Sequence, residues 1–250
     1  MLFYLLIEMG VSNMYVCGKR VCFEIINNNK KINKAYLSFG FDDKNIISYL
    51  QKNKINTKYL SISQLNKIAK EKHQGIILDI PEYQYFSFEQ LLKEIANINN
   101  PFLIILDHLE DPHNLGAIIR TCEAAAVDGI IIPKDRSVKI NETVMKVSVG
   151  AFNNVRICQV SNINEIIRKL KTNGFWVVGS GFDNSISYNK NEYNYPLVLI
   201  LGNEGKGINK LTKELCDYTV NIPMYGKINS LNVSVAAGIL IYKIVEKRGG

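Results

Sequence analysis

Three stretches of this 250-residue chain set polar side chains among residues too small or too apolar for an ordinary surface. The first is Asp111-Pro-His-Asn-Leu-Gly-Ala-Ile-Ile-Arg120-Thr-Cys-Glu-Ala-Ala-Ala126. Leu115, Ile118, Ile119, Cys122, Ala125 and Ala126 recur at helical spacing and make one apolar stripe. Projected at about 100° per residue, Arg120 falls nearly opposite that stripe, with Gly116 and Ala124 one turn away and Ala117 beside it. A surface helix normally carries long polar residues there. A lone guanidinium among glycine and alanine reads either as a solvent-facing arginine or as one charge presented into a tight cleft or subunit contact. Asn114 is placed to cap this helix, and the N–H groups exposed at such an end suit an anion.

The second stretch is an apolar run, Leu197-Val-Leu-Ile-Leu201, followed by Gly202-Asn-Glu204-Gly-Lys-Gly207. Three glycines straight after a buried strand allow a tight turn and a close backbone approach to a ligand. No G-K-[ST] follows and the spacing is not G-x-G-x-x-G, so neither common nucleotide loop is present. Glu204 at the apex is either a solvated turn residue or a carboxylate that orients something polar. The third stretch, Ile222-Pro-Met-Tyr-Gly-Lys-Ile-Asn-Ser230-Leu-Asn232-Val-Ser234, runs from a strand end through a loop into a helix that continues apolar to Val245. Ser230 and Asn232 suit a helix start, and Ser234, Ala236, Ala237 and Gly238 then give that helix a small face that another element can approach closely.

The elements that would position these groups follow from periodicity. From Pro101 onward, short apolar runs (Phe102 to Leu106, Gly129 to Ile132, Trp176 to Val178, Leu197 to Leu201, Tyr218 to Ile222) alternate with helical segments, the βαβ signature of a mostly parallel sheet with helices on both faces. Ligands gather at the carboxyl ends of such strands, which points to the loops after Leu106, Leu201 and Ile222. Residues 14–80 make a smaller alternation. Its helical patterns lie around Val21 to Ile26, Ile46 to Lys52 and Leu65 to Lys70, and its strands at Ala35 to Phe39 and Gly75 to Asp79. Residues 81–100, with a proline, an aromatic cluster and an Asn-rich end, read as a linker between this domain and a catalytic domain over 101–246.

Hydrophobic residues make up 47% and charged residues 21%, which excludes collagen-like, disordered and disulfide-scaffold classes. The five cysteines form no C-x-x-C pair and the three histidines are scattered, so a reduced, cytoplasmic protein without a structural metal is expected. The apolar start, Met1 to Ile7, is too short to span a bilayer and is cut by Glu8; no membrane association is expected, and residues 1–13 read as an upstream extension. The net charge of +7 is unevenly placed. Residues 14–80 carry 12 Lys and Arg against 5 Asp and Glu, whereas 101–246 carry 15 against 14. The basic excess of the small domain is either a solvated lysine-rich face or a handle on a phosphate backbone.

Taken in order and spacing, Asn114-Leu-Gly-Ala-Ile-Ile-Arg120, Leu201-Gly-Asn-Glu204-Gly-Lys-Gly207 and Ile222-Pro-Met224 with Ser230-Leu-Asn-Val-Ser234 together resemble the three motifs of the SpoU family of S-adenosylmethionine-dependent RNA ribose 2'-O-methyltransferases. Gly18-Lys-Arg-Val21 and His73-Gln-Gly75 resemble landmarks of the small ribosomal-protein-like domain of the subgroup that methylates a guanosine ribose in 23S ribosomal RNA. The resemblance implies an α/β fold whose C-terminal part forms a deep trefoil knot, preceded by a small α/β RNA-binding domain. It also implies a homodimer with the site close to the subunit contact. Gly202, Ile222, Met224 and Leu231 would hold S-adenosylmethionine in the knotted pocket, largely through backbone groups. Arg120 would be the central catalytic residue, with Asn114, Glu204, Ser230 and Asn232 orienting ribose, arginine and cofactor. A guanidinium with pKa above about 12 is an awkward general base, so Arg120 is read as the group that binds the target phosphate and steadies charge on the 2'-oxygen. His113 is a further candidate for the base. Two alternatives stay open: a transfer-RNA ribose methyltransferase of the same family, and a non-catalytic RNA-binding or ribosome-assembly protein on the same fold.

Overall fold

A computed structural model describes residues 13–69, 72–181, 185–203, 205 and 207–249. The extension expected over residues 1–13 lies outside them apart from Asn13, which opens the first strand. The chain divides into two compact units, one comprising residues to Gln84 together with Ile140–Gly150, the other Tyr85–Lys139 and Ala151–Gly250.

In the first unit β1 (Asn13–Cys17), α1 (Lys19–Asn27), β2 (Lys34–Ser38), α2 (Lys44–Lys52), β3 (Thr57–Leu60), α3 (Ile62–Ile68) and β4 (Ile76–Pro81) build a four-stranded sheet in the order β1-β4-β2-β3. β4 runs antiparallel to both neighbours and β2 pairs β3 in parallel. Alternation along the strands puts Val16, Ala35, Leu37, Ile76 and Leu78 on one face, all fully buried with Cys22, Ile25, Ile46 and Leu50. Local caps fix the helix starts. The Asp43 carboxylate accepts from the Asn45 and Ile46 N–H groups ahead of α2, and Ser61 with Gln64 closes a capping box ahead of α3.

The second unit contains α4 (Phe88–Ile95), β5 (Phe102–Asp107), α5 (Pro112–Ala124) and β6 (Gly129–Pro133). Past α6 (Glu142–Val147), which clusters with the first unit, follow β7 (Ile157–Val160), α7 (Ile163–Thr172), β8 (Trp176–Ser180), β9 (Ile186–Ser187), β10 (Leu197–Gly202), α8 (Lys210–Glu214), β11 (Tyr218–Asn221) and α9 (Val233–Lys247). The sheet order is β7-β6-β5-β10-β8-β11-β9, and every pairing is parallel. Leu103, Ile104, Ile105, Ile130, Ile131, Leu199 and Ile200 are fully buried, as strands covered on both faces must be. The chain lays β5, β6 and β7 outward in one direction and then returns to the other side of β5. The reversal at β5 and β10 is the kind of switch point at which ligands collect.

The linker expected over residues 81–100 is not a free connection. Phe86 bridges to Cys158 beside β7, and Phe88, Leu91 and Ile95 of α4 are buried in the core formed by Ile105, Ile131, Ile167 and Val198. The proline and asparagines that suggested a linker sit at the two ends of this stretch. The apolar spacing of Phe88, Leu91 and Ile95 between them is what decides its structure. At the far end of the unit the Arg248 guanidinium donates to the carbonyls of Asn100 (2.8 Å), Tyr193 (3.0 Å) and Tyr195 (2.7 Å) and lies over the Phe102 ring, closing α9 onto the amino-terminal edge of the sheet.

Because Leu91 is fully buried, Leu91→Ala is expected to lower the stability of the protein by about 2–5 kcal/mol, measured by urea unfolding. An unchanged midpoint would mean that residues 88–95 do behave as a linker.

Candidate active site

The loops that follow β5, β10 and β11 meet at the carboxyl edge of the second sheet. After Gly202, Asn203 and Gly207 exchange both backbone hydrogen bonds (Asn203 N–H to Gly207 O, 3.1 Å; Gly207 N–H to Asn203 O, 2.9 Å), and Gly207 takes a left-handed φ of 66°. This bracelet folds Gly207 and Ile208 directly over Gly202. A Cβ on Gly202 would overlap the Gly207 carbonyl carbon and the Ile208 nitrogen, so only glycine fits. Glu204 and Lys206, within the bracelet, lie outside the described residues.

Asp107 ties this turn to β5. It is fully buried, and its two oxygens accept from the Asn209 N–H (2.8 Å) and from His108 Nδ1 (2.6 Å). Asn203 Nδ2 in turn donates to the His108 carbonyl (3.0 Å), and its Oδ1 accepts from the Gly205 N–H (3.0 Å). Sequence reasoning missed Asp107, His108 and Asn203. The available signal was a carboxylate ending an otherwise apolar strand.

A second tie joins the two helices beside this edge. α5 is capped by Asp111, whose carboxylate accepts from the His113 N–H (2.9 Å), with Pro112 at the first helical position. Asn114 therefore is not the cap expected from the sequence, because the proline starts the helix two residues earlier. Asn114 is buried instead, and its Oδ1 accepts from Asn232 Nδ2 at 3.0 Å. Asn232 is the cap of α9. Its Oδ1 accepts from the Ser234 N–H (2.9 Å), the Ser234 hydroxyl (2.6 Å) and the Val235 N–H (3.4 Å). One side chain thus starts the last helix and fastens it to α5.

A cavity of about 440 Å³ opens against the bracelet. Gly202, Ile222, Met224, Leu231 and Ser230 all line it, along with the backbone of Gly205 and Gly207 and the side chains of Leu240, Ser180 and Asn221. Its lining mixes apolar side chains with polar ones and Lys213, and its size suits a nucleoside-sized ligand. Asn114 and Asn232 stand together outside the lining, and Arg120 is exposed on α5, also outside it. His113 is exposed on the first turn of α5. The structure therefore gathers five of the expected site residues at one cavity, pairs two others, and leaves Arg120 facing outward. Cys216 lies outside the lining, and burial, reinforced by Asp217, pushes its thiol up to about 11. Among the described residues no group of three or more His, Cys, Asp or Glu is placed to hold a metal, and no helix is long and apolar enough to cross a membrane.

Residues 101–242, more than half of the chain, match the SpoU rRNA methylase family. The chain belongs to that family. As a member it is an RNA methyltransferase, and residues 15–86 of this SpoU chain match the RNA 2'-O ribose methyltransferase substrate-binding domain. A protein of Bacillus subtilis (strain 168) named as a TrmH family tRNA/rRNA methyltransferase is 36% identical over 244 residues, covering 96% of this chain and 98% of that protein. Two solved structures share the fold. One is the SpoU methyltransferase AviRb from Streptomyces viridochromogenes in complex with the cofactor AdoMet (TM-score 0.80, 20% identity, 94% of this chain and 90% of that one). The other is an AdoMet-bound rRNA methyltransferase from Sinorhizobium meliloti (TM-score 0.78, 22% identity, 94% and 87%).

Asn232→Ala is expected to cost about 1–2 kcal/mol, since it removes a cap and leaves the buried Asn114 oxygen without that donor. A double-mutant cycle with Asn114→Ala should return a coupling of about 0.5–1.5 kcal/mol. Strictly additive values would mean that the 3.0 Å contact carries nothing.

Proposed function

We propose that this chain is a homodimeric, cytoplasmic enzyme that transfers the methyl group of S-adenosylmethionine to the ribose 2'-hydroxyl of a guanosine in 23S ribosomal RNA. The observation that carries the reading is that two of the family motifs, at residues 202–207 and 222–231, line one cavity, and that the first motif is tied to the third by the Asn114–Asn232 hydrogen bond. The cavity fits the cofactor by its own chemistry. Gly202, Gly205 and Gly207 bring backbone into the lining, and Ile222, Met224, Leu231 and Leu240 offer apolar walls to an adenine. S-adenosylmethionine supplies a methyl group on a sulfonium, already a strong electrophile.

What remains for the protein is to hold the ribose hydroxyl in line and to ease loss of its proton. Arg120 is assigned to the target phosphate and to the charge that develops on the 2'-oxygen. It faces solvent from a helix of small residues, outside the cavity lining, which favours a dimer in which Arg120 of the partner subunit completes the site. Ser230 in the cavity lining, the Asn114–Asn232 pair and Glu204 are assigned to orienting ribose and arginine, and His113 stands as a further candidate for the proton. The reading includes the family's deep trefoil knot. Ribosomal RNA is favoured over transfer RNA by the family's description and by the substrate-binding match over residues 15–86; the names of relatives cover both RNAs.

Tritiated methyl transfer from S-adenosylmethionine to unmodified ribosomal RNA tests the reading: the protein should label it, and failure on every RNA offered would overturn the assignment. Arg120→Ala should lower turnover by about 10²–10³-fold with cofactor affinity unchanged, and Arg120→Lys should not restore it; full activity in Arg120→Ala would remove the arginine from the chemistry. Gly202→Ala should weaken cofactor binding by more than about 10-fold in calorimetry, because the added methyl forces the bracelet off its seat.

A further inference from the structure

The two faces of the first sheet are covered differently. One is buried against α1 and α2. On the other, Leu65 and Ala69 pack with Cys17 and Ile77, and Tyr15, Tyr36, Leu60 and Ile68 are partly buried against them. The strand registers place Tyr15 opposite Asp79, Asp79 opposite Lys34, and Tyr36 opposite Lys58, so these five side chains share that face. Tyr15 and Tyr36 are half-buried with their rings 6.3 Å apart, edge to face. Lys34 Nζ lies 5.4 Å from the Tyr36 ring centre, and Lys58 is exposed. The buried Asp79 carboxylate accepts from Asn33 Nδ2 (3.1 Å) and faces the Lys34 ammonium. Burial, and then the neighbouring Lys58, lower the Lys34 pKa, a repulsion that a bound phosphate would relieve.

We propose that this face is a stacking platform for single-stranded RNA, with a nucleobase laid against Tyr36 beside Tyr15 and a backbone phosphate held by Lys34 and Lys58. Paired aromatic rings on a sheet, flanked by lysines, offer what an unpaired nucleotide presents, a π-face with a phosphate next to it. A duplex keeps its base faces stacked and has no use for the rings. A protein partner would call for a broader apolar patch than two half-buried tyrosines between charges. The excess of 12 basic over 5 acidic residues in 14–80 supplies the long-range complement to the same polyanion. The proposal rests on the reading of the chain as an RNA methyltransferase and names where its first unit grips the substrate.

The test measures anisotropy of a fluorescein-labelled single-stranded RNA of about 12 nucleotides on the full-length protein, alongside methyl transfer to ribosomal RNA. Tyr36→Leu should weaken oligonucleotide binding roughly 10-fold and raise KM for RNA by a similar factor. Its kcat and its KM for S-adenosylmethionine should hold, and Tyr36→Phe and Tyr36→Trp should bind as the unaltered protein does. Lys58→Gln, at an exposed position that leaves folding intact, should reduce the slope of log affinity against log salt by about 0.7. Oligonucleotide affinity within twofold of the unaltered protein for both Tyr36→Leu and Lys58→Gln overturns the proposal, as does an effect of Lys58→Gln alone, which would mean phosphate attraction without stacking. Should the unaltered protein transfer no methyl to any RNA, the enzymatic reading falls while the oligonucleotide titration still decides the platform.

Discussion

The second unit depends on a place where no side chain can be. At Gly202 the backbone of Gly207 and Ile208 passes so close that even a methyl group is excluded, and the geometry of the carboxyl edge is arranged around that crossing. The bracelet between Asn203 and Gly207 holds the returning chain, Asp107 reaches over from β5 to hold Asn209, and the His108 carbonyl receives the Asn203 amide. Each of these bonds is ordinary by itself. Together they satisfy the polar groups of a turn seated on a buried parallel sheet, where an unpaired donor or acceptor would be costly. The cavity lies beside this turn, with Gly202, Gly205 and Gly207 in its lining.

The two units divide the physical problem by charge. The first carries most of the net positive charge, whereas the second is nearly balanced and encloses an apolar cavity. Long-range attraction for a polyanion and a tight pocket for a nucleoside make opposing demands on a surface. The first wants exposed lysines and tolerates looseness; the second wants dry walls and fixed backbone groups. Separate folding units let each demand be met without compromise.

Much of this was legible in the residues. The strands beginning at Phe102, Gly129, Trp176, Leu197 and Tyr218 declared themselves because a parallel sheet covered on both faces needs uninterrupted apolar runs, and little else in a soluble chain produces them. Gly202, Ile222, Met224 and Leu231, singled out by the resemblance to the SpoU motifs, line one cavity. Three things were hidden. The helix Phe88–Ile95 was concealed by loop-forming residues at both ends of its stretch. The cap of α5 was misplaced on Asn114, because Asp111 and Pro112 together make a better helix start and free the asparagine for a partner far along the chain. The Asn114–Asn232 bond itself is a tertiary fact that no local pattern encodes, and the same holds for Asp107, whose partner Asn209 lies across two loops.

That asparagine pair also says something about time. Its members are separated by 118 positions, and the Arg248 clamp onto Asn100 spans 148. Contacts of such separation form late, since the intervening chain must be ordered before they gain anything from meeting. Through Asn232, α9 is the helix that fastens α5 beside the carboxyl edge of the sheet. A nascent chain can complete the first unit while the carboxyl edge of the second is still open. The pairing of α5 with α9 is therefore a late contact, made once the strands that separate them in sequence are ordered.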